Sequence, residues 1–188
     1  KTAIIGDWIK APTDALFNRL KQACPKFNVI AEDLGLINDD VVKALERYDL
    51  PRMKVLQFAF DADLEKSPFL PHNYPENCVV YSGTHDNNTS VGWHRCDATD
   101  HEKWQIGAYV KYNVTEENVH AALIDLALTS RANVAIIPVQ DILGLDERAR
   151  LNTPGTTIKN WNWRLLPGQL TQEKLDQLGS LTKRCNRA

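Results

Sequence analysis

The amino-acid sequence predicts an α/β fold in which helices cover a parallel sheet. Short apolar runs rich in β-branched residues alternate with segments of helical periodicity. Runs that are apolar on both faces are typical of strands in such a sheet. The predicted strands are residues 29–31, 55–60, 78–81 and 134–139. No segment resembles a linker, so residues 1–188 are assigned to one domain, with right-handed connections between successive strands.

Apolar stripes and capping residues predict the helices between these strands. Residues 13–24 form the first helix, and Asn38 is the candidate N-cap of the second. Thr99 and Glu102 make a capping-box pattern that opens a helix to about residue 112. Residues 116–131 form the next helix. The last helix begins at Thr171, and its predicted buried stripe is Leu175, Leu178, Leu181 and Cys185.

Composition and charge exclude several classes of function. The chain has 188 residues and a formal net charge of -2, which argues against a nucleic-acid partner because binding phosphates needs a basic face. Its apolar runs are far shorter than the roughly 20 residues that span a bilayer, so no membrane partner is expected. Four widely spaced cysteines favour reduced thiols and a cytoplasmic location. No Cys/His pair has the spacing of metal ligands, so no metal site is predicted.

Each predicted strand is followed by an acidic residue. These residues are Glu32, Asp61, Asp86 and Asp141, and parallel α/β folds place working side chains just past the carboxyl ends of their strands. Glycosidic bond cleavage needs one protonated and one ionised carboxyl group, which must lie in different environments. Glu32, emerging from a buried strand, is a candidate acid. Asp86, beside His85 and a polar loop, is a candidate for the ionised group.

Six blocks of sequence together resemble the amylomaltase (disproportionating enzyme) family of 4-alpha-glucanotransferases. They are AEDLG at 31–35, KVLQFAF at 54–60, PFLPHNYP at 68–75, GTHDNNT at 83–89, PVQD at 138–141 and NWNWR at 160–164. The resemblance covers roughly residues 7–170. It implies that the chain is the C-terminal half of a (β/α)8 barrel, with about four parallel strands and their covering helices.

The resemblance also implies roles for particular residues. Glu32 corresponds to the general acid/base, Asp86 to the carboxylate that stabilises the transition state, and His85 to a neighbouring contact to the sugar. Relatives act on α-1,4-glucans by a retaining double displacement without a metal or organic cofactor. Asp61 or Asp63 is a further candidate contact to an acceptor sugar, and Asn160 is a candidate to bind glucan through its amide.

The sequence departs from the family at one point. The family nucleophile is an Asp in an Arg-x-Asp-His-Phe-Arg type of block, and no such block occurs here. We therefore expect this chain to be the C-terminal part of the catalytic barrel and to be inactive alone. A half-barrel with uncovered strand edges is also expected to self-associate.

Two other functions are compatible with the sequence. One is a related hydrolase of the α-amylase clan, or the transferase step of glycogen debranching. The other is a glucan-binding or assembly module without catalysis. A plant protein of this family would lie in the plastid stroma in place of the cytoplasm.

Overall fold

The computed structural model describes residues 6–7, 9–26, 28–35 and 37–187. Its contacts fall into two compact units, Lys1–Pro51 and Arg52–Ala188. The expectation that residues 1–188 form a single domain stays a prediction. The two units are described in turn.

The first unit contains two helices, α1 (Thr13–Ala23) and α2 (Asp39–Arg47), as the sequence predicts. Asn38 caps α2, and its side-chain oxygen accepts a hydrogen bond of 3.0 Å from the Val41 backbone N–H. The helices meet where Phe17 stacks on Tyr48 with ring centroids 4.7 Å apart. The Tyr48 hydroxyl also donates to Asp14 at 2.6 Å, so an apolar and a polar contact hold the pair together.

The prediction of a strand at residues 29–31 is wrong, because these residues do not form an extended strand. Within residues 29–31 only Ala31 makes a β-bridge, and its N–H donates to the Pro51 carbonyl at 2.8 Å. The side chain of Ile30 is 47% exposed. The run is therefore not buried on both faces. Its single β-bridge is not a continuous ladder of hydrogen bonds between strands.

The second unit is built on a parallel sheet of three strands, β1 (Arg52–Val55), β2 (Cys78–Tyr81) and β3 (Val134–Ile136). Their order is β1-β2-β3, and the register aligns Lys54 with Val80 and Val80 with Ala135. The α/β class with a parallel sheet is confirmed. Over the described ranges the sheet has three strands, where the sequence predicted four.

The second predicted strand, at residues 55–60, is misplaced. β1 ends at Val55, and a short 3-10 helix, Leu56–Phe58, follows it. This helix buries Leu56 and Gln57. The strand itself contains two basic residues, of which Lys54 is buried with its Nζ 5.5 Å from the Phe69 ring centroid. The prediction was shifted towards the C-terminus because the strand contains charged residues and the apolar run lies in the turn after it.

The fourth predicted strand is too long at its C-terminal end. β3 stops at Ile136, and the short helix α6 (Val139–Ile142) begins directly after Pro138. Proline has no backbone N–H to donate to a ladder, and its fixed φ suits a helix start. Pro138 has φ -58° and is the N-cap of α6.

The second unit contains four further helices. A short helix, α3 (Ser90–Gly92), continues into a π-helical turn, Trp93–Asp97, and neither was predicted. The predicted helices are α4 (Asp100–Val110), α5 (Val119–Thr129) and α7 (Gln172–Arg184), and Thr99 and Glu102 form the expected capping box. Two other 3-10 helices are Pro71–Asn73 and Glu147–Ala149.

The predicted buried stripe of α7 is wrong. Its N-cap is Thr171 as expected, but α7 has no buried residue and Leu175 is 43% exposed. The side chains of α1 are likewise half-buried or exposed. An apolar stripe indicates which face of a helix prefers to pack, and burial requires a partner on that face.

One apolar core lies between the sheet and helices α3 to α5. Its fully buried members include Leu56, Phe60, Leu70, Val80, Ile106, Val119 and Leu123. Among the described residues, no helix combines the length and the apolar character that crossing a membrane requires.

Two glycines give a matched test of this packing. A Cβ on Gly92 would lie 2.8 Å from the Glu147 Cα, whereas a Cβ on Gly179 in α7 would meet nothing within 4 Å. We expect Gly92→Ala to destabilise the protein by about 1–3 kcal/mol, because backbone atoms must move. We expect Gly179→Ala to stabilise it by about 0.5–1 kcal/mol through helix propensity. Thermal unfolding of the whole protein measures both; equal effects of the two changes would contradict the packing at Gly92.

Candidate active site

The predicted His85-Asp86 pair lies in a tight turn that begins at Thr84, three residues beyond the end of β2. The Asn87 N–H donates to the Thr84 carbonyl at 3.2 Å, which closes the turn. The Asn87 side-chain oxygen also accepts from the Thr84 N–H at 3.0 Å and from its hydroxyl at 2.8 Å. The turn presents its two middle side chains outward, and those of His85 and Asp86 are 53% and 44% exposed.

The Asp86 carboxylate is held through one of its two oxygens. The Asn152 side-chain amide donates to Oδ1 at 2.5 Å, and the His85 Nε2 lies 3.4 Å from the same oxygen. Among the described residues, nothing donates a hydrogen bond to Oδ2. One carboxylate oxygen is thus fixed by the protein, and the other is available to a hydroxyl group of a ligand.

A second segment braces the turn from the side. The Arg150 Nη2 donates to the Asp86 carbonyl at 2.8 Å, and the Asn152 N–H donates to the His85 carbonyl at 3.1 Å. The Arg150 Nε donates to the Asn152 carbonyl at 2.9 Å. Residues 150–152 therefore fix both the backbone and the carboxylate of the His85-Asp86 pair.

An indole ring borders the imidazole. The ring centroids of His85 and Trp161 are 5.1 Å apart with an angle of 38° between their planes, and Trp161 is half exposed. The Trp161 backbone N–H donates to the Leu151 carbonyl at 2.7 Å, which ties the backbone of this residue to the bracing segment. A carboxylate oxygen beside an exposed aromatic face suits a ligand that has both hydroxyl groups and apolar C–H faces, as a sugar does.

A buried carboxylate holds both ends of the loop that carries this turn. Ser82 precedes the loop, and its hydroxyl donates to the Asp141 Oδ2 at 2.6 Å. Ser90 follows the loop, and its N–H donates to the Asp141 Oδ1 at 2.7 Å. Asp141 lies in α6 and is only 1% exposed. Asp141 follows the last strand as the sequence predicted, but it is buried in α6 and anchors the loop, so it is not an exposed carboxylate at the rim of the sheet.

Burial raises the pKa of the Asp141 carboxyl above the usual range for an aspartate. The hydrogen bonds from Ser82 and Ser90 act in the opposite direction, but desolvation is the larger effect. The fold therefore favours the protonated form of this group. Its contribution to stability is greatest at low pH and is lost as the pH rises through the raised pKa.

The loop is also packed from the side of β1. The buried Gln57 donates from its side-chain amide to the Asn88 carbonyl at 2.9 Å. A Cβ on Gly83 would lie 2.6 Å from this amide nitrogen, so a larger residue there would displace the Gln57 side chain. Buried polar side chains from the 3-10 helix after β1 and from α6 hence set the position of the His85-Asp86 turn.

The other predicted site residues have different surroundings. Asp61 is exposed and lies six residues beyond the end of β1, so the prediction that it ends that strand is wrong. Asn160 uses its amide within its own loop: Oδ1 accepts from the Thr153 N–H at 2.9 Å, and Nδ2 donates to the Thr156 carbonyl at 3.0 Å. Contacts of Asp61 and Asn160 to a sugar stay predictions.

Glu32 belongs to the first compact unit, Lys1–Pro51. It follows the bridging residue Ala31 directly, and its side chain is exposed, whereas the neighbouring Asp33 is buried. The carboxyl group of Glu32 is therefore accessible to a ligand. Its assignment as the general acid/base stays a prediction.

Sequence reasoning missed the residues that hold the turn. No pattern in the sequence marks Asn152 or Arg150 as a residue that holds the turn. Their contacts to residues 85–86 span more than 60 positions of sequence, and no local spacing signals them.

Among the described residues, no group of three or more His, Cys, Asp or Glu side chains could hold a metal ion.

Comparison with known proteins agrees with this fold. A family model described as 4-alpha-glucanotransferase matches residues 1–171. The 4-alpha-glucanotransferase of Thermus thermophilus is 46% identical over 99% of this chain and 38% of the relative. The chloroplastic/amyloplastic 4-alpha-glucanotransferase of Solanum tuberosum is 46% identical over 94% of this chain and 30% of the relative. The chain thus spans about a third of the length of these relatives.

A solved structure gives the same result. The amylomaltase from Streptococcus agalactiae in complex with acarbose matches with a TM-score of 0.92 at 31% identity, over 100% of this chain and 38% of that chain. Fold and site define the class as an α/β protein whose exposed carboxylate follows a strand of a parallel sheet. Within that class, the chain belongs to the 4-alpha-glucanotransferase family.

The two serine contacts of Asp141 lead to a test. We expect Asp141→Ala to lower the free energy of unfolding by about 2–5 kcal/mol, because it leaves the Ser82 hydroxyl and the Ser90 N–H buried without a partner. Asp141→Asn keeps an acceptor for Ser90 and offers a donor to the rotatable Ser82 hydroxyl, so it should cost less.

The pH dependence of the free energy of unfolding tests whether the charge of Asp141 or only its shape affects stability. Over the pH range above the ordinary aspartate pKa of about 4, the Asp141→Asn variant should gain stability progressively relative to the unchanged protein, since it has no carboxyl to deprotonate. Chemical denaturation of the whole protein across this range measures the difference. A difference that does not vary with pH would contradict the raised pKa.

Proposed function

We propose that the protein containing this chain is a 4-alpha-glucanotransferase, which transfers segments of 1,4-alpha-D-glucan to the 4-hydroxyl of an acceptor glucan or of glucose. The observation that carries the proposal is the Asp86 carboxylate, held at Oδ1 with Oδ2 open, in a chain of this family. The substrates are α-1,4-glucans such as maltooligosaccharides and starch or glycogen chains.

The proposed reaction is a retaining double displacement. A carboxylate nucleophile from outside this chain attacks the anomeric carbon, and Glu32 gives its proton to the departing 4-oxygen. The acceptor 4-hydroxyl then attacks the anomeric carbon of the covalent glucosyl-enzyme and gives its proton to Glu32. This attack breaks the bond between the sugar and the nucleophile, and the nucleophile is released. Bonds and protons balance over the two steps, and the reaction needs no metal or organic cofactor.

Asp86 stabilises the transition state in this proposal. Positive charge develops on the sugar ring as the glycosidic bond breaks, and a fixed carboxylate nearby stabilises that charge without having to reorganise. Its Oδ2 accepts hydrogen bonds from hydroxyl groups of the same sugar. His85 contacts this sugar from the adjacent position, and Asp61 and Asn160 contact other parts of the glucan.

We propose further that the chain is the C-terminal half of a (β/α)8 barrel. The parallel order of β1 to β3 supports this, and so does the position of His85 and Asp86 past the carboxyl end of β2, since barrels of this kind hold their active sites there. The proposed location is the cytoplasm, or the plastid stroma in a plant. The isolated chain is expected to self-associate through its strand edges.

Product analysis of the whole protein tests this function. With maltotriose as sole substrate, we expect free glucose together with a ladder of longer maltooligosaccharides, at a constant number of reducing ends. Net growth of reducing ends would indicate a hydrolase instead. Binding of maltoheptaose without any turnover would favour a glucan-binding module.

A single substitution tests the proton-transfer role. Glu32→Gln should lower transfer by at least about 100-fold and leave glucan binding largely intact, because the amide cannot donate a proton to the leaving oxygen. Asp33→Asn changes the adjacent, buried carboxyl and serves as a control for local folding. Near-normal turnover by the Glu32→Gln variant would refute the assigned role.

A further inference from the structure

We propose that Asn152 is a positioning residue that fixes the Asp86 carboxylate for the transferase reaction. The inference rests on the proposed function and extends it to a residue in a segment far away in sequence. Asn152 acts through Asp86, and no contact of Asn152 to substrate is needed.

The side-chain contact identifies which atoms interact. The Asn152 Nδ2 lies 2.5 Å from the Asp86 Oδ1. An ionised carboxylate can only accept hydrogen bonds, so the amide nitrogen must face it as the donor. Charge-assisted hydrogen bonds of this kind are about twice as strong as neutral ones.

The backbone of Asn152 is fixed independently of its side chain. Its N–H donates to the His85 carbonyl at 3.1 Å, and its carbonyl accepts from the Arg150 Nε at 2.9 Å. A residue that served only to shape the loop would be satisfied by these two bonds. The side-chain amide is therefore free to act on the carboxylate.

The expected consequence concerns the orientation of the carboxylate. Asp86 is at the exposed end of a turn, where its χ angles would otherwise be free to vary. With Oδ1 held by Asn152, the position of Oδ2 is set before a sugar binds. Fixing a catalytic group in advance lowers the barrier, and a misplacement of about 1 Å can cost up to about 100-fold in rate.

Removal of the amide is the first test. In the whole protein, Asn152→Ala should lower kcat by about 10- to 100-fold and change KM much less, because the lost interaction acts mainly in the transition state. Asn162 is an exposed asparagine ten positions further along the same loop. Asn162→Ala is the matched control and should leave both constants unchanged.

Reversal of the donor is the second test, and a purely structural role would not produce its result. Asn152→Asp keeps the shape but places a second carboxyl against Asp86. At neutral pH both carboxyl groups are ionised and repel each other, so the variant should be nearly inactive. As the pH falls the pair takes up one shared proton, which restores a donor to Asp86, and activity should recover. Asn162→Asp adds the same charge nearby and should keep the pH profile of the unchanged protein.

The outcomes separate this inference from the proposed function. If Asp86→Asn retains normal transfer, the proposed role of Asp86 fails. If Asp86→Asn abolishes transfer while Asn152→Ala keeps its kcat and Asn152→Asp keeps its pH profile, the positioning role alone is overturned. Loss of activity in both Asn152 variants together with lower melting temperatures and no recovery at low pH would also overturn it, since that pattern indicates a folding effect.

Discussion

The buried carboxylate of Asp141 is the interaction on which the site depends. It receives hydrogen bonds from Ser82 and Ser90, the residues on either side of the loop at 83–89. Both ends of that loop are thereby fixed to α6, and the His85-Asp86 turn within it has a defined position although its side chains reach solvent. Burial of an acidic group is costly, and here the two hydrogen bonds offset part of that cost.

The turn itself is completed by a segment that follows it by more than 60 residues. Arg150 and Asn152 contact the backbone of His85 and Asp86, and Asn152 also holds the carboxylate. This arrangement follows from a parallel sheet, in which segments after successive strands gather at one edge. The exposed side chain of Asp86 is thus oriented by contacts from Arg150 and Asn152.

Local signals in the sequence predicted most helices, whereas the sheet edges and the site contacts required tertiary structure. Asn38, Thr99 and Thr171 cap helices as predicted, because a cap depends only on the next few residues. β1 was misplaced because its basic residues concealed a buried strand. The sequence predicted Asp86 because it follows a predicted strand, and the family resemblance implied roles for Asp86 and His85. Asn152 was not predicted, since its partner lies far away in sequence. The exposed Leu175 shows that a stripe alone does not supply a packing partner.

The proposed function requires that Glu32 and Asp86 act on one sugar. A crystal structure of the whole protein, carrying Glu32→Gln to slow turnover and soaked with a maltooligosaccharide, tests it most directly. The account predicts that Asp86 Oδ2 contacts hydroxyl groups of the sugar whose glycosidic oxygen lies within hydrogen-bond distance of the side chain at position 32. Side chains 32 and 86 on opposite faces of the sheet, or in contact with separate sugars, would contradict it.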